Sequence, residues 1–427
     1  MAKLMTLMII WTGFAAALCH SEPSFTDVLA ARGKIGIPIE QARGLESKLG
    51  QLFVVNVDGF GYSGHLALEP GFTTLVTRLQ IGGVIAHYGS TSYEKIQRTN
   101  RALAALTELP LLLCCDIVKL KGATRIASFG DGYVGGFLGK FRRLPDSELE
   151  TLARLNAFVL AAIGINAALG PTVDTSTGDP RTPGRARLVI AQMRSFGLEP
   201  VLKHFPYLPA RANLHRESPD TRVPLPEAEQ RFAVFHELAG EADILMTTHL
   251  YDSLVDGSLV TFSPVWNRLL REQTRFDGLL ISDGLLMLKN YADRSMLTGG
   301  PAGADVAGMD ETAIWALRAI LAGHDMVIVE GSAAQTWRAF QGLFSLACRN
   351  TALGKTLRAR IDEAWLKIAG WKKKHEAALR RELDTPASAV QAAIDILPAE
   401  GAALEKFRFD AQALTQLEPA LQAAEVR

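Results

Sequence analysis

One carboxylate stands at the end of a short apolar run at residues 278–285, which read Gly-Leu-Leu-Ile-Ser-Asp-Gly-Leu. An apolar run bounded by turn-forming residues is typical of a buried parallel strand. Such a strand would bring Asp283 to the sheet edge where α/β proteins place their chemistry. Ser282 and Asp283 are also common helix caps. The stretch therefore predicts a catalytic carboxylate or a structural cap, and the rest of the chain decides between them.

Polar residues follow the other apolar runs of the chain as well. The eight runs and the polar residues after them are 52–57 with Asp58, 83–86 with His87, 111–115 with Asp116, 163–169 with Asp174, 201–202 with Lys203 and His204, 244–248 with His249, 279–282 with Asp283, and 326–329 with Glu330. Apolar layers fill the interior of a parallel barrel, so polar side chains at strand ends belong at its rim. Each could be a cap, but as a ring they indicate an active-site face.

Helical segments separate these strand candidates. Apolar residues recur at three- and four-residue steps in 94–108, 147–162, 227–241 and 311–322, and Pro264 opens a further helix over 264–274. Strands alternating with helices predict a parallel sheet with right-handed crossovers. Eight such units predict an α/β fold of the closed (β/α)8 type, with an open doubly wound sheet as the alternative. The glycine-rich patterns of nucleotide-binding loops are missing from the sequence, and no cofactor is expected.

The composition of the chain limits the kinds of molecule that it is expected to bind. The 427 residues include 45 basic and 45 acidic side chains, and a formal charge of zero argues against a nucleic-acid-binding protein. A small or neutral molecule is the expected partner. The four cysteines, Cys19, Cys114, Cys115 and Cys348, show neither a disulfide framework nor zinc-site spacing, so no metal is expected.

The two ends of the chain differ from its middle. Lys3 precedes an apolar run over 4–18 that is too short for a membrane span, so residues 1–19 are interpreted as an export signal. Cys19 is a possible lipidation site, which would anchor the protein to a membrane, although Leu18 fits a lipidation motif poorly. We expect a periplasmic or extracellular protein. Residues 375–427 are rich in Ala, Leu and Glu and predict short helices outside the barrel or a partly ordered tail.

Several motifs occur in a fixed order along the chain. They are Gly50-Gln51-Leu52-Phe53, Lys203-His204-Phe205-Pro206, Met246-Thr247-Thr248-His249, Thr261-Phe262-Ser263-Pro264, and Phe276-Asp277-Gly278 followed by Ile281-Ser282-Asp283. Together they resemble the N-terminal barrel of family 3 glycoside hydrolases, specifically the bacterial single-barrel β-N-acetylhexosaminidases. The likeness covers most of the chain, and the predicted barrel domain spans residues 44–374.

The resemblance implies a retaining mechanism in which a carboxylate attacks the anomeric carbon and water later releases the sugar. Asp283 would be this nucleophile. Lys203, His204 and Asp116 would bind sugar hydroxyls. Arg185 falls where the family has a sugar-binding arginine, with Arg181 as the competing position.

Other family positions are altered. The family acid/base is a loop histidine oriented by an aspartate two residues earlier; His215 fits this role, but Asn213 stands at the aspartate position. An amide can orient the ring but cannot stabilise an imidazolium by charge. In the loop after Asp116, Arg125 is the remnant of a sugar-binding arginine, and the Glu-Gly-Gly turn before it is missing. Gly284 replaces the aspartate that usually follows the nucleophile.

Three functions are consistent with this pattern. The first is a monomeric, exported hydrolase that removes terminal N-acetylglucosamine-type residues from an amino-sugar glycoside. The second is a catalytically impaired barrel that binds a carbohydrate or a protein partner. The third is a family 3 enzyme whose altered loops change its specificity.

Overall fold

A computed structural model describes residues 24–56, 70–120, 126–127, 129, 138, 140–174, 179–207, 220–291, 304–398 and 408–426. The expected export signal with Cys19 lies outside these residues, and so do Arg125, Asn213 and His215. In the described part of the chain, no helix is both long enough and apolar enough to span a membrane.

Eight parallel strands close into a barrel. They are β1 Phe53–Asn56, β2 Gly83–Thr91, β3 Leu112–Leu120, β4 Ala167–Ala168, β5 Glu199–Phe205, β6 Ile244–Thr247, β7 Leu279–Gly284 and β8 Met326–Val329. Each strand pairs with the next in chain order, and β8 pairs back to β1 with Phe53 beside Val327. Closure of the ring confirms the predicted (β/α)8 barrel and excludes the open doubly wound sheet.

The predicted apolar runs became these strands because the barrel covers them on both faces. All four residues of β1 and all four of β8 are buried, which is typical of strands enclosed between a barrel interior and outer helices. Two short antiparallel pairings lie outside the ring. Ile126–Ala127 pairs with the end of β3, and Tyr251–Asp252 pairs with Asp256–Leu259.

Helices surround the ring. They are α1 Phe25–Ala31, α2 Ile39–Gln51, α3 Pro70–Leu79, α4 Tyr93–Ala104, α5 Asp146–Ala162, α6 Thr182–Ser195, α7 Leu225–Arg231, α8 Ala233–Leu238, α9 Pro264–Thr274, α10 Glu311–Ala322, α11 Ala333–Ala347, α12 Ala352–Lys374, α13 Glu376–Leu379, α14 Ala387–Ile396 and α15 Ala411–Ala424. Short 3-10 helices occur at Ala239–Glu241, Val260–Phe262 and Leu285–Asn290. The predicted helices 264–274 and 311–322 form with these bounds.

The helix predicted over 227–241 is divided at Phe232. This residue lies between α7 and α8 with φ −94° and ψ 9°, and its buried ring packs 5.3 Å from the ring of Phe205 and 6.3 Å from that of Trp266. The helical periodicity of the sequence did not predict this break, which occurs where the Phe232 ring packs into the core.

The C-terminal helices lie against the outside of the barrel. Arg154 on α5 forms ion pairs with Glu418 at 2.8 Å and Glu425 at 2.7 Å, and this fastens α15 to the wall. At the N-terminal end of the barrel, the buried Lys372 of α12 donates to the Gln51 side chain at 2.9 Å and to the Gly82 carbonyl at 2.7 Å. Burial lowers the pKa of Lys372 to about 7.

Glu199, Asp243 and His375 meet at the same end of the barrel. Their ligand atoms lie within 4.8 Å of one another, which is compatible with a cation. Lys374 already supplies a positive charge there, 3.2 Å from Asp243. His375 Nε2 lies 2.7 Å from the same carboxylate, and burial lowers the pKa of this histidine. Burial and the charge of Asp243 raise the pKa of Glu199 from its ordinary 4.5 to about 7.

The raised pKa of Glu199 predicts that the difference in stability between the wild type and a Glu199→Gln variant depends on pH. Folded Glu199 holds its proton up to about pH 7, whereas in the unfolded chain it loses the proton near 4.5, so its contribution to stability is present below 4.5 and is lost as the pH rises through 7. Glu199→Gln should match the wild type near pH 4 and exceed it at pH 8 by up to about 3 kcal/mol in unfolding free energy. Urea unfolding at both pH values measures the difference. The exposed Glu150→Gln is the control, and equal gains for both variants would contradict the assignment.

Candidate active site

The carboxyl ends of the barrel strands bring together the predicted site residues of β3, β5 and β7. Lys203 Nζ lies 2.9 Å from Asp116 Oδ1, and the two side chains are 3% and 15% exposed. An ammonium buried in this way requires a nearby carboxylate, and Asp116 provides it. The pair presents a donor and an acceptor at the rim, as hydroxyl recognition requires.

His204 is held by a residue that the sequence placed at the rim but assigned no role. Its Nδ1 lies 3.2 Å from Oδ2 of Asp174, and a carboxylate can only accept, so Nδ1 carries the proton. The backbone amide of Val173 donates to the Lys203 carbonyl at 2.9 Å, which extends the β4–β5 pairing and places Asp174. The Lys203–His204 and Phe205–Pro206 peptide bonds are both cis.

Asp283 is partly buried at the end of β7. The Gly284 amide donates to its Oδ1 at 2.7 Å. Burial alone would raise the pKa of Asp283, but His204, His249, this amide and Lys203 together outweigh it and hold the pKa below the ordinary 3.8. The carboxylate is therefore ionised at neutral pH, which is the state that a nucleophile needs.

His249 fixes the backbone that follows Asp283. Its Nε2 lies 2.9 Å from the Gly284 carbonyl, which can only accept, and its Nδ1 lies 2.6 Å from Thr261 Oγ1. Burial lowers the pKa of His249. Nε2 carries the proton that is donated to the Gly284 carbonyl, because a carbonyl can only accept, and the Thr261 hydroxyl donates to the Thr248 carbonyl at 3.0 Å. Strand-end position was the only sequence signal for this residue.

Glu330 explains why position 284 is glycine. A Cβ atom on Gly284 would lie 2.0 Å from Glu330 Oε2 and 2.5 Å from its Cδ. The Gly284 backbone itself is ordinary, with φ −58°. An aspartate after the nucleophile would therefore require the Glu330 carboxylate to move, because this carboxylate fills the space that the aspartate Cβ would need.

Arg185 lies apart from this cluster. Its guanidinium donates to the carbonyls of Arg142 at 2.8 Å, Phe141 at 3.1 Å and Leu144 at 3.1 Å. These bonds tie α6 to the segment before α5. The competing Arg181 is exposed and pairs with Asp179 at 2.7 Å. A sugar-binding role for either arginine stays a prediction.

Both ends of the segment 208–219, which carries His215, meet at Asp252. This buried carboxylate accepts from Tyr207 Oη at 3.1 Å on one side of the segment. On the other side it accepts from Thr221 Oγ1 at 2.6 Å and from the Val223 amide at 2.8 Å. The sequence analysis missed Asp252 because these three bonding partners are 29 to 45 residues away from it.

The contact of Glu330 with Gly284 predicts a steric effect that can be measured. Gly284→Ala should lower the unfolding free energy by about 1–3 kcal/mol, because the added methyl group displaces a packed carboxylate. Gly240→Ala is the control, since a Cβ there meets nothing within 4 Å. Denaturant unfolding measures both, and a crystal structure of Gly284→Ala should show Glu330 moved. An unchanged stability with Glu330 in place would contradict the contact.

Three solved structures that share this architecture are described as β-N-acetylglucosaminidases or as a β-N-acetylhexosaminidase. A fungal multi-domain family 3 β-N-acetylglucosaminidase superposes with a TM-score of 0.65 at 18% identity, covering 82% of this chain and 42% of that one. The β-N-acetylhexosaminidase of Beutenbergia cavernae DSM 12333 superposes with a TM-score of 0.60 at 22% identity, covering 77% of this chain and 98% of that one. The family 3 β-N-acetylglucosaminidase of Paenibacillus sp. str. FPU-7 superposes with a TM-score of 0.61 at 17% identity, covering 89% of this chain and 68% of that one. At these identities the likeness shows the shared fold.

The family of this chain is shown by its sequence. No curated protein matches the chain significantly. The profile of the glycosyl hydrolase family 3 N terminal domain matches residues 44–369, which is most of the chain. This chain therefore belongs to glycosyl hydrolase family 3, and residues 44–369 are its N-terminal domain.

Proposed function

We propose that the chain is an exported, retaining glycosidase that removes terminal N-acetylglucosamine-type residues, with Asp283 as the nucleophile. The observation that carries the proposal is the ionised carboxylate at the end of β7, held below its ordinary pKa by His204, His249 and Lys203. Family membership supports hydrolysis of a glycoside. The descriptions of similar structures as β-N-acetylglucosaminidases support the amino-sugar specificity.

The proposed reaction has two displacements. Asp283 attacks the anomeric carbon, the glycosidic bond breaks, and a covalent glycosyl-enzyme forms; water then displaces Asp283 with a second inversion, so the configuration is retained. Lys203, Asp116 and His204 bind sugar hydroxyls in this proposal. Because Asp116 and Asp174 already orient Lys203 and His204, these two side chains are in place before the sugar arrives.

The resemblance assigns proton transfer to His215, and this role stays a prediction. The described ends of its loop support it indirectly, since Asp252 anchors both. Asn213 in place of an aspartate favours the second candidate function, a barrel that binds a carbohydrate or protein partner without turnover. The two candidates differ in whether the wild-type protein releases any sugar.

The first prediction of this function concerns the nucleophile. Asp283→Asn should reduce hydrolysis of 4-nitrophenyl N-acetyl-β-glucosaminide by at least about 10⁴-fold, because removal of a covalent nucleophile costs that much or more. A thermal unfolding curve should show that the variant folds. Glu241→Gln, at the opposite end of the barrel, is the matched control and should keep wild-type turnover. Wild-type protein without turnover on several aryl glycosides would favour the binding function.

A second prediction concerns pH. Since the pKa of Asp283 is lowered, the nucleophile loses its charge only below pH 3.8, and kcat/KM for a substrate with a good leaving group should stay level from about pH 7 down to about pH 4. His204→Gln removes the largest of the contributions that lower the pKa of Asp283. The acid limb of the kcat/KM profile should therefore move to higher pH in this variant. An identical limb in both proteins would contradict the electrostatic role of His204.

A further inference from the structure

A second carboxylate borders the nucleophile. Glu330 follows β8 directly, and β8 pairs with β7, with Ile328 beside Gly284 in the strand register. The Glu330 side chain is nearly covered, at 8% exposure. It therefore stands at the same rim as Asp283 and on the neighbouring strand.

Both carboxylates have a close contact at Gly284. Gly284 donates its amide proton to Asp283 Oδ1 at 2.7 Å, and its missing side chain leaves the space that Glu330 Oε2 occupies. These two contacts, 2.7 Å and 2.0 Å long, are joined by the N–Cα and Cα–Cβ bonds of about 1.5 Å each, so the two carboxylate oxygens are no more than about 8 Å apart. That limit includes the separation of roughly 5–5.5 Å at which retaining glycosidases hold their two carboxyl groups.

The surrounding residues distinguish Glu330 from the other rim carboxylates. Asp116 binds Lys203 and Asp174 binds His204, so both serve to hold a sugar-binding side chain. Glu330 contacts Gly284, the residue whose amide binds the nucleophile.

We propose that Glu330 is the general acid/base that works with Asp283. This inference rests on the proposed function. In the first step, Asp283 forms a bond to the anomeric carbon and the bond to the leaving oxygen breaks. Its electron pair takes the proton of the Glu330 carboxyl. In the second step, the Glu330 carboxylate removes a proton from water, whose oxygen bonds to the anomeric carbon and releases Asp283.

This assignment gives the chain a pair of acidic residues from adjacent strands. Proton transfer then does not depend on His215, whose aspartate partner is replaced by Asn213. It also gives Gly284 a function, because any larger residue there would push the acid/base away from the nucleophile.

The test compares Glu330→Ala and Glu330→Gln with His215→Ala, on substrates of high and low leaving-group reactivity. Glu330→Ala should lose about 10²–10⁴-fold on N,N′-diacetylchitobiose, which needs a proton donor, and less than about 10-fold in the glycosylation step with the 2,4-dinitrophenyl glycoside. Sodium azide, which needs no general base, should restore turnover of the dinitrophenyl substrate by Glu330→Ala and give the β-glycosyl azide. Glu241→Gln is the matched carboxyl-to-amide control.

The outcomes separate this inference from the function on which it rests. Azide rescue in Glu330→Ala but not in His215→Ala supports it, as does loss of one limb of the pH profile in the isosteric Glu330→Gln. Rescue in His215→Ala alone, or wild-type activity in both Glu330 variants, overturns it while Asp283-dependent turnover still stands. A wild-type protein without Asp283-dependent turnover overturns the proposed function and the role of Glu330 together.

Discussion

The negative charge of Asp283 is the feature on which the rim of this barrel depends. A partly buried carboxylate loses hydration, and it stays ionised only if nearby groups compensate for that loss. Here the compensation comes from the amide of the next residue and from side chains on two other strands. Each of those side chains needs a partner in turn, which is why Asp116 accompanies Lys203 and Asp174 accompanies His204. The result is a network of carboxylates and nitrogen-bearing side chains around the strand ends.

The two ends of the barrel use buried charge for different purposes. At the carboxyl end, charged groups are paired but still reach the rim, where a ligand could compete for them. At the opposite end, Lys372 is fully buried on Gln51 and the Gly82 carbonyl, and Asp243 holds the end of α12 through Lys374 and His375. These bonds fasten the last barrel helix to the sheet, which is consistent with a stabilising role for that face in barrels of this type.

Two departures from the family pattern make physical sense once their neighbours are known. Glycine after the nucleophile accompanies a glutamate from the next strand that fills the vacated space. The segment that carries Asn213 is flanked by Tyr207 and Val223, and Asp252 accepts from the hydroxyl of the first and from the backbone amide of the second. Both departures therefore lie beside contacts between residues that are distant in sequence.

The sequence by itself determined the architecture, because the apolar runs and the helical periodicity between them are local patterns that a parallel barrel satisfies. All eight predicted runs became strands, and the family followed from motifs on those strands. Polar residues at strand ends were also predictable, since chain position alone puts them at the rim.

Only the tertiary structure decided how those residues pair. In the folded chain, Arg185 donates to the carbonyls of Phe141, Arg142 and Leu144. The predicted helix is divided at Phe232, and Glu330 contacts Gly284. These outcomes depend on distances between side chains that are far apart in the chain. Neither periodicity nor spacing encodes those distances, because they arise only when the ring closes and brings strand ends together.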